Sequence, residues 1–161
     1  MTKLPTIVCC YFLVMLPIIC VCQGFNDDKT SLSNFVKRMY NAAPFEGIKV
    51  IDNYDHQYFI SLVNLEKAKY PSASTMTRVA QVKAQQQANT FFNGSFISSD
   101  FIIKTTEAKS KDSTSTIIET MESIKENSLG FVKGMELLTN FEAAETKRMV
   151  FIYFREIEKG K

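Results

Sequence analysis

The stretch STMTRVAQVKAQQQANTFF, residues 74–92, carries the pattern of a long helix around which the rest of the chain is arranged. Its apolar residues recur at steps of three and four, which places them on one face of a helix that ends at Gly94. This face has alanine at positions 80, 84 and 88 and becomes bulky only at Phe91 and Phe92. Because alanine side chains let a helix approach a flat surface closely, we predict that this helix lies on a β-sheet.

A short amphipathic helix is predicted nearer the N-terminus, after a flexible lead-in at Asn26–Ser31. Ser31 is its predicted N-cap, and the loop Asn41–Gly47 closes it. Its apolar positions have helical spacing and comprise Leu32, Phe35, Val36, Met39 and Tyr40. We expect this apolar face to pack on the domain that follows.

Runs of β-branched and aromatic residues predict strands on both sides of the long helix. Ile48–Ile51 and Tyr58–Leu65 are predicted to form a β-hairpin that turns near Asn53–His56. Phe96–Thr105 is predicted to be a further strand after the long helix. The sheet therefore begins before this helix and continues after it.

The C-terminal third is predicted to contain a loop, a helix and a second antiparallel hairpin. Glu107–Thr116 is polar and predicts a solvated loop, whereas Ile117–Ser128 fits helical spacing slightly better than the alternation of a strand, and Gly130 ends it. Phe131–Thr139 and Arg148–Ile157 are the predicted strands. The second includes six consecutive apolar residues, which is typical of a strand that is buried on both faces.

These elements predict the α+β class, with a mainly antiparallel sheet, one long helix packed on it and a short N-terminal helix. We expect one α+β domain over residues 48–161, with the lead-in and short helix at residues 23–47.

Residues 1–22 have the pattern of a secretory signal peptide. Lys3 gives a positive start, Ile7–Ile19 is apolar, and Cys20 and Cys22 stand at the positions minus three and minus one of a cleavage site before Gln23. After cleavage the chain would have no integral membrane span. All four cysteines would leave with this segment, so the mature protein would contain no disulfide and no thiol nucleophile.

Two other interpretations of this segment stay open. A membrane anchor is disfavoured because Pro17 interrupts an apolar run at the short end of what spans a bilayer. A lipoprotein acylated at Cys20 or Cys22 is disfavoured because Ile19 and Val21 precede these cysteines, where Gly, Ala or Ser is usual.

No constellation of residues in the sequence predicts catalysis, a cofactor or a metal. Its single histidine, His56, follows Asp55 at a predicted turn, and Glu119 and Glu122 could share a helix face. The sequence contains no HExxH, no glycine-rich phosphate loop and no GxSxG. We therefore predict a protein that is not an enzyme, and a third hypothesis is an enzyme built either on His56 or on Glu119 and Glu122.

Charge and aromatic residues bear on the binding partner. The chain has 19 basic and 17 acidic residues, which gives no reason to expect nucleic-acid binding. Most aromatic residues stand at positions typical of a core. The candidates for contact with a ligand or a protein partner are Phe91, Phe92, Phe101 and Phe141.

The order of several motifs resembles a group of small bacterial envelope domains. These motifs are the alanine-lined helix, Phe96–Ser99, Ser128–Gly134 and a hairpin that ends in Val150–Tyr153. The group includes the outer-membrane lipoprotein family and the N-terminal domain of the flagellar T-ring assembly protein, and glutamine after the predicted cleavage site resembles exported proteins of the Bacteroidota. The resemblance implies a non-catalytic module that works by contact with other proteins.

The leading hypothesis is therefore a non-enzymatic exported module of a bacterial envelope, in the periplasm or outside the cell, that acts by contact or assembly with other envelope proteins. The alternative is a periplasmic carrier of a small apolar, lipid-like ligand, which would bind in a cleft between the long helix and the sheet lined by Phe91, Phe92 and Phe101.

Overall fold

A computed structural model describes residues 27–53, 56–94, 99–104, 111–126, 128–144 and 147–157. The helices are α1 (Asp27–Ala42), α2 (Ala73–Gly94), α3 (Lys111–Glu126) and α4 (Ser128–Lys133), and the strands are β1 (Gly47–Asn53), β2 (His56–Glu66), β3 (Ile102–Lys104), β4 (Glu136–Glu142) and β5 (Arg148–Ile157). Short 3-10 turns occupy Lys67–Lys69 and Ser99–Phe101. The protein is α+β, as the sequence predicts.

The five strands form one mixed sheet in the order β3-β1-β2-β5-β4. β1 runs antiparallel to β2, β2 to β5 and β5 to β4, whereas β1 and β3 are parallel. Both predicted antiparallel hairpins are thus confirmed. β2 is the central strand and β4 is an edge strand.

Helices pack on both faces of this sheet. On the face that we call the α2 side, α2 lies over β2, and its buried alanines contact a core that also receives Phe131 from α4 and Met121 from α3. On the opposite face, the α1 side, Leu32 and Val36 of α1 are buried in a second core. The prediction of a long helix packed on the sheet is confirmed, and so is the apolar face of the N-terminal helix.

Successive side chains of the interior strands point to opposite faces of the sheet, so each of these strands contributes residues to both cores. In β2, Phe59 and Val63 face the α2 side, and Ile60 and Leu62 face the α1 side. In β5, the residues Val150 to Phe154 are all buried. The run of six apolar residues therefore marks a strand that is covered on both faces, as predicted.

The predicted boundaries were wrong at two helices. Asp27–Ser31, predicted as a lead-in with Ser31 as the cap, already belongs to α1, and Lys111–Thr116, predicted as a loop, belongs to α3. Once the apolar face of a helix is held on a core, each further turn of polar residues adds backbone hydrogen bonds at little cost. Polar composition alone therefore placed both helix starts too late.

The region around Gly130 was also predicted wrongly. Gly130 lies inside α4, and Phe131–Lys133 complete this helix, so that β4 begins only at Glu136. Helical geometry lets Phe131 pack against Phe59 and Phe92, and this tertiary contact overrides the β-propensity of the segment.

The strand predicted over Phe96–Thr105 is not continuous in the structure. Ser99–Phe101 is a 3-10 turn, and the strand comprises Ile102–Lys104. Phe96–Ser98, Thr105 and the predicted signal peptide at residues 1–22 lie outside the described residues.

Candidate functional site

Three of the four predicted contact residues lie together on the α2 side. Phe91 and Phe92 in the last turns of α2 are 3% and 0% exposed. The Phe92 ring stacks on Phe59 at 5.2 Å between centroids, and Phe101 meets Phe91 edge-to-face at 5.1 Å. Both side chains belong to the packed core, and of the two only Phe91 also borders an open groove.

An open groove of about 360 Å³ lies beside this aromatic group. Phe91 and Phe101 form its apolar wall with Ile48, and Gln86 and Thr90 of α2 form its polar rim. Lys49 spans the neighbouring surface, where its Nζ donates to the carbonyl oxygen of Asp100 at 3.0 Å. The groove is the place where the structure could admit a small apolar group next to the predicted residues.

His56 has a partner that the sequence analysis missed. The Nδ1 atom of His56 lies 2.6 Å from Oε1 of Glu156, and its ring stacks near Tyr58. Glu156 is 100 residues away along the chain, and only the pairing of β2 with β5 brings the two together. Asp55, the neighbour considered from the sequence, lies outside the described residues.

Burial raises the pKa of Tyr58, and the negative charges of Glu156 and Asp28 raise it further. The phenol of Tyr58 therefore ionises at a higher pH than that of an ordinary tyrosine. This part of the structure therefore consists of the His56–Glu156 pair at the surface and the buried Tyr58 ring on the α1 side.

The other acidic candidates do not converge on a site. Glu119 and Glu122 are both exposed on α3, and Glu122 lies 3.9 Å from Lys125. Within the ranges that the structure describes, no group of three or more His, Cys, Asp or Glu side chains is arranged to hold a metal ion.

Phe141, the fourth predicted residue, lies apart from the others, on β4 and on the α1 side. Its ring meets Tyr40 of α1 edge-to-face at 5.6 Å, and the Nζ atom of Lys37 lies 5.7 Å from the ring centroid. Phe141 is half-buried by these contacts. The structure therefore places Phe141 near the C-terminal end of an edge strand.

β4 forms one of the two edges of the sheet that the structure describes. Among the described strands, β4 pairs with β5 alone, and four of its seven residues are exposed. Leu137 is 40% exposed although it lies opposite Tyr153 on the α2 side. The contacts of α2 with the sheet are mainly with β1, β2 and β5.

The pairing with β5 shows which main-chain groups of β4 face outward. The Ala143 N–H donates to the Arg148 carbonyl at 2.9 Å, and Phe141 and Thr139 follow in the same register. In an antiparallel ladder the intervening residues point their N–H and C=O groups to the other side. Those residues are Asn140 and Glu142, so two donors and two acceptors lie along the outer side of Thr139–Glu142, which we call the β4 edge.

Charge and a bulge limit the β4 edge at its two ends. Leu138 is an extra residue between Leu137 and Thr139, where the register with β5 shifts. At the other end, Glu142 pairs with Lys67 at 2.8 Å beside an open hollow that also contains Lys147 and Arg148. The open ladder is therefore short and lies between a bulge and a carboxylate.

Comparison with known proteins found no relative of this chain. No protein-family model matches the chain, no curated protein matches it, and no solved structure matches it. In the described part of the chain, none of the helices combines the length and the apolar character that crossing a membrane requires.

Proposed function

We propose that this protein is a non-enzymatic exported module of a bacterial envelope that acts by protein–protein contact, and that the β4 edge is its contact site. The observation that carries the proposal is that, in the part of the chain that the structure describes, β4 pairs with β5 alone, and the main-chain groups of Asn140 and Glu142 face outward. The interior strands, by contrast, have helices on both faces. An edge of this kind accepts a strand from another polypeptide.

The surroundings of the β4 edge favour contact over chemistry. Phe141 is one of the four predicted contact residues, and it lies between the outward-facing Asn140 and Glu142. The two carboxylates of β4 are already paired, Glu142 with Lys67 and Glu136 with Lys29 at 3.0 Å. Main-chain hydrogen bonds would supply affinity, and the side chains on either face of the added strand would supply specificity.

Export is proposed from the sequence. Residues 1–22 have the pattern of a signal peptide, and the motif order resembles small envelope domains. The partners are accordingly envelope proteins, in the periplasm or outside the cell, and association with the outer membrane is included in this proposal. Nothing in the charge balance favours a nucleic acid as the partner.

Site-specific photo-cross-linking in cells of the source organism tests this function. A photoreactive residue at position 140 should join the protein to a discrete envelope partner, because Asn140 is exposed on the β4 edge. The same photoreactive residue at position 83, where Lys83 is exposed on α2, is the matched control. Equal labelling at both positions, or no adduct at position 140, would reject the β4 edge as the contact site.

The groove beside Phe91 and Phe101 supports a second candidate function, a carrier of a small apolar ligand. Mass spectrometry of the protein purified under native conditions tests it. A lipid-like molecule should co-purify in stoichiometric amount and be lost when Phe101→Asp places a charge on the groove wall. Recovery of the protein without such a molecule would argue against a carrier.

A further inference from the structure

We propose that the occupant of the β4 edge is the β4 edge of a second copy, paired antiparallel about Phe141. The inference rests on the proposed function, because it names the partner at the same contact site. It would join two five-stranded sheets into one continuous sheet across a two-fold axis.

The direction of the main-chain groups leaves few symmetric registers. Asn140 and Glu142 face outward, so they must form the hydrogen-bonded pairs of any added ladder. A two-fold axis at Glu142 would set this carboxylate against its own copy, which is destabilising. An axis at Thr139 or Asn140 would bring Leu138, the bulged residue, into the ladder.

An axis at Phe141 avoids both problems. Asn140 then lies opposite Glu142 of the second copy, and Glu142 lies opposite Asn140 of the second copy. These two pairs exchange four main-chain hydrogen bonds. Each Asn140 amide can also donate to the carboxylate that faces it on the α2 side, so no like charges stand directly opposite each other.

Phe141 forms the centre of this arrangement on the α1 side. It would lie in a non-hydrogen-bonded pair with Phe141 of the second copy, where Cβ atoms approach to roughly 5 Å. Aromatic cross-strand pairs are favourable at this spacing. The half-buried position of Phe141 in the single chain leaves part of its ring available for the contact.

The ladder is short, so the dimer should be weak. The bulge at Leu138 and the end of β4 at Glu142 confine the ladder to the region of Thr139–Ala143. Its buried area is accordingly expected to fall below the roughly 1,200 Å² at which stable complexes begin. Dissociation in the micromolar range or weaker is the expectation, and measurements must extend to about 1 mM protein.

Analytical ultracentrifugation of the protein as recovered after export tests the inference. Wild type should show a reversible monomer–dimer equilibrium. Asn140→Lys sets a cation opposite each Glu142 and should tighten dimerisation roughly 2- to 30-fold, whereas Asn140→Asp sets like charges opposite each other and should weaken it to a similar extent. The inference is overturned if the two variants shift the equilibrium in the same direction or not at all.

A proline at the same position gives a second test. The Asn140 N–H makes no bond to β5, so Asn140→Pro should keep the fold while removing an outward donor. Circular dichroism and the midpoint of urea unfolding check that the fold is kept. Loss of the dimer is expected, and a dimer of unchanged affinity in the folded variant would overturn the inference.

These experiments also distinguish a failure of this inference from a failure of the proposed function on which it rests. A monomeric wild type that still cross-links at position 140 to a different protein overturns the second copy and leaves the β4 edge as a contact site. A monomeric wild type without any adduct at that position overturns both.

Discussion

At the residue scale, three alanines set how closely α2 approaches the sheet. Ala80, Ala84 and Ala88 are fully buried. Beneath them, the Ser61 hydroxyl of β2 donates to Oε1 of Gln87 at 2.7 Å, and Nε2 of Gln87 donates to the Leu62 carbonyl at 3.3 Å. Small side chains on the helix are what allow these hydrogen bonds between helix and strand to form.

The variant Ala84→Leu should lower the free energy of unfolding by about 1–3 kcal/mol, because the larger side chain has no space between α2 and β2. Chemical denaturation measures the change. Gln86→Leu, at an exposed position of the same helix, is the matched control and should shift stability by less than about 0.5 kcal/mol. Equal effects of the two variants would contradict close packing at Ala84.

Two of the buried tyrosines, Tyr58 and Tyr153, predict how stability depends on alkaline pH. Burial raises the pKa of Tyr58 and of Tyr153 above the ordinary value of 10.0, and in Tyr58 nearby carboxylates add to the effect. The folded protein therefore holds protons that the unfolded chain has released above this pH. By linkage, the free energy of unfolding is unaffected by these groups below about pH 10 and falls as the pH rises beyond it.

Replacing Tyr58 by phenylalanine should make this alkaline loss of stability less steep. Urea unfolding of wild type and Tyr58→Phe at pH values from about 8 to 11 measures the slope. The constant offset between the two proteins below about pH 9 is the internal control for packing. Parallel curves over the whole range would show that Tyr58 ionises alike in the folded and unfolded states.

At the element scale, α1 packs on the α1 side of the sheet. Leu32 and Val36 are buried against β2 and β5, and Tyr40 packs on β4 through Phe141. Without α1, the apolar side chains of the interior strands on this face would contact water. The helix is therefore a structural layer of the protein.

The variant Leu32→Ala should cost about 2–5 kcal/mol of stability, because it opens a cavity between α1 and the sheet. Thermal or chemical unfolding measures this loss. Asn34→Ala, on the exposed side of the same helix, should be close to neutral. A neutral Leu32→Ala would mean that α1 does not pack on the sheet in solution.

At the scale of the whole molecule, β2 couples the two cores. Neighbouring residues of this strand enter opposite cores, Phe59 with the aromatic group of α2 and α4, and Ile60 with α1. A strand shared in this way cannot leave one core without leaving the other. We therefore expect the two helical layers to unfold together.

Native-state hydrogen exchange tests this coupling. The slowest amides of α1, α2 and β2 should exchange with similar free energies, close to that of global unfolding. Phe59→Ala, which removes a ring in contact with Phe91, Phe92 and Phe131, should lower protection in α1 as well as in α2. Protection in α1 that stays unchanged would show that the layers open separately.

The sequence by itself determined the local elements with regular patterns. Helical spacing gave α2 and the apolar face of α1, and runs of β-branched and aromatic residues gave β1, β2 and β5. In these segments the pattern of burial repeats within the segment itself, so neighbours along the chain carry enough information. The same patterns predicted the α+β class and two antiparallel hairpins.

Only the tertiary structure decided the rest, because those features depend on residues far apart in the chain. Phe131 lies in a helix, where it contacts Phe59 and Phe92. His56 lies next to Glu156 because β2 pairs with β5. Phe141 was a candidate from its residue type, but its place on an edge strand follows from the order of the described sheet. An edge exists only once all strands are placed, so no local pattern could have shown it.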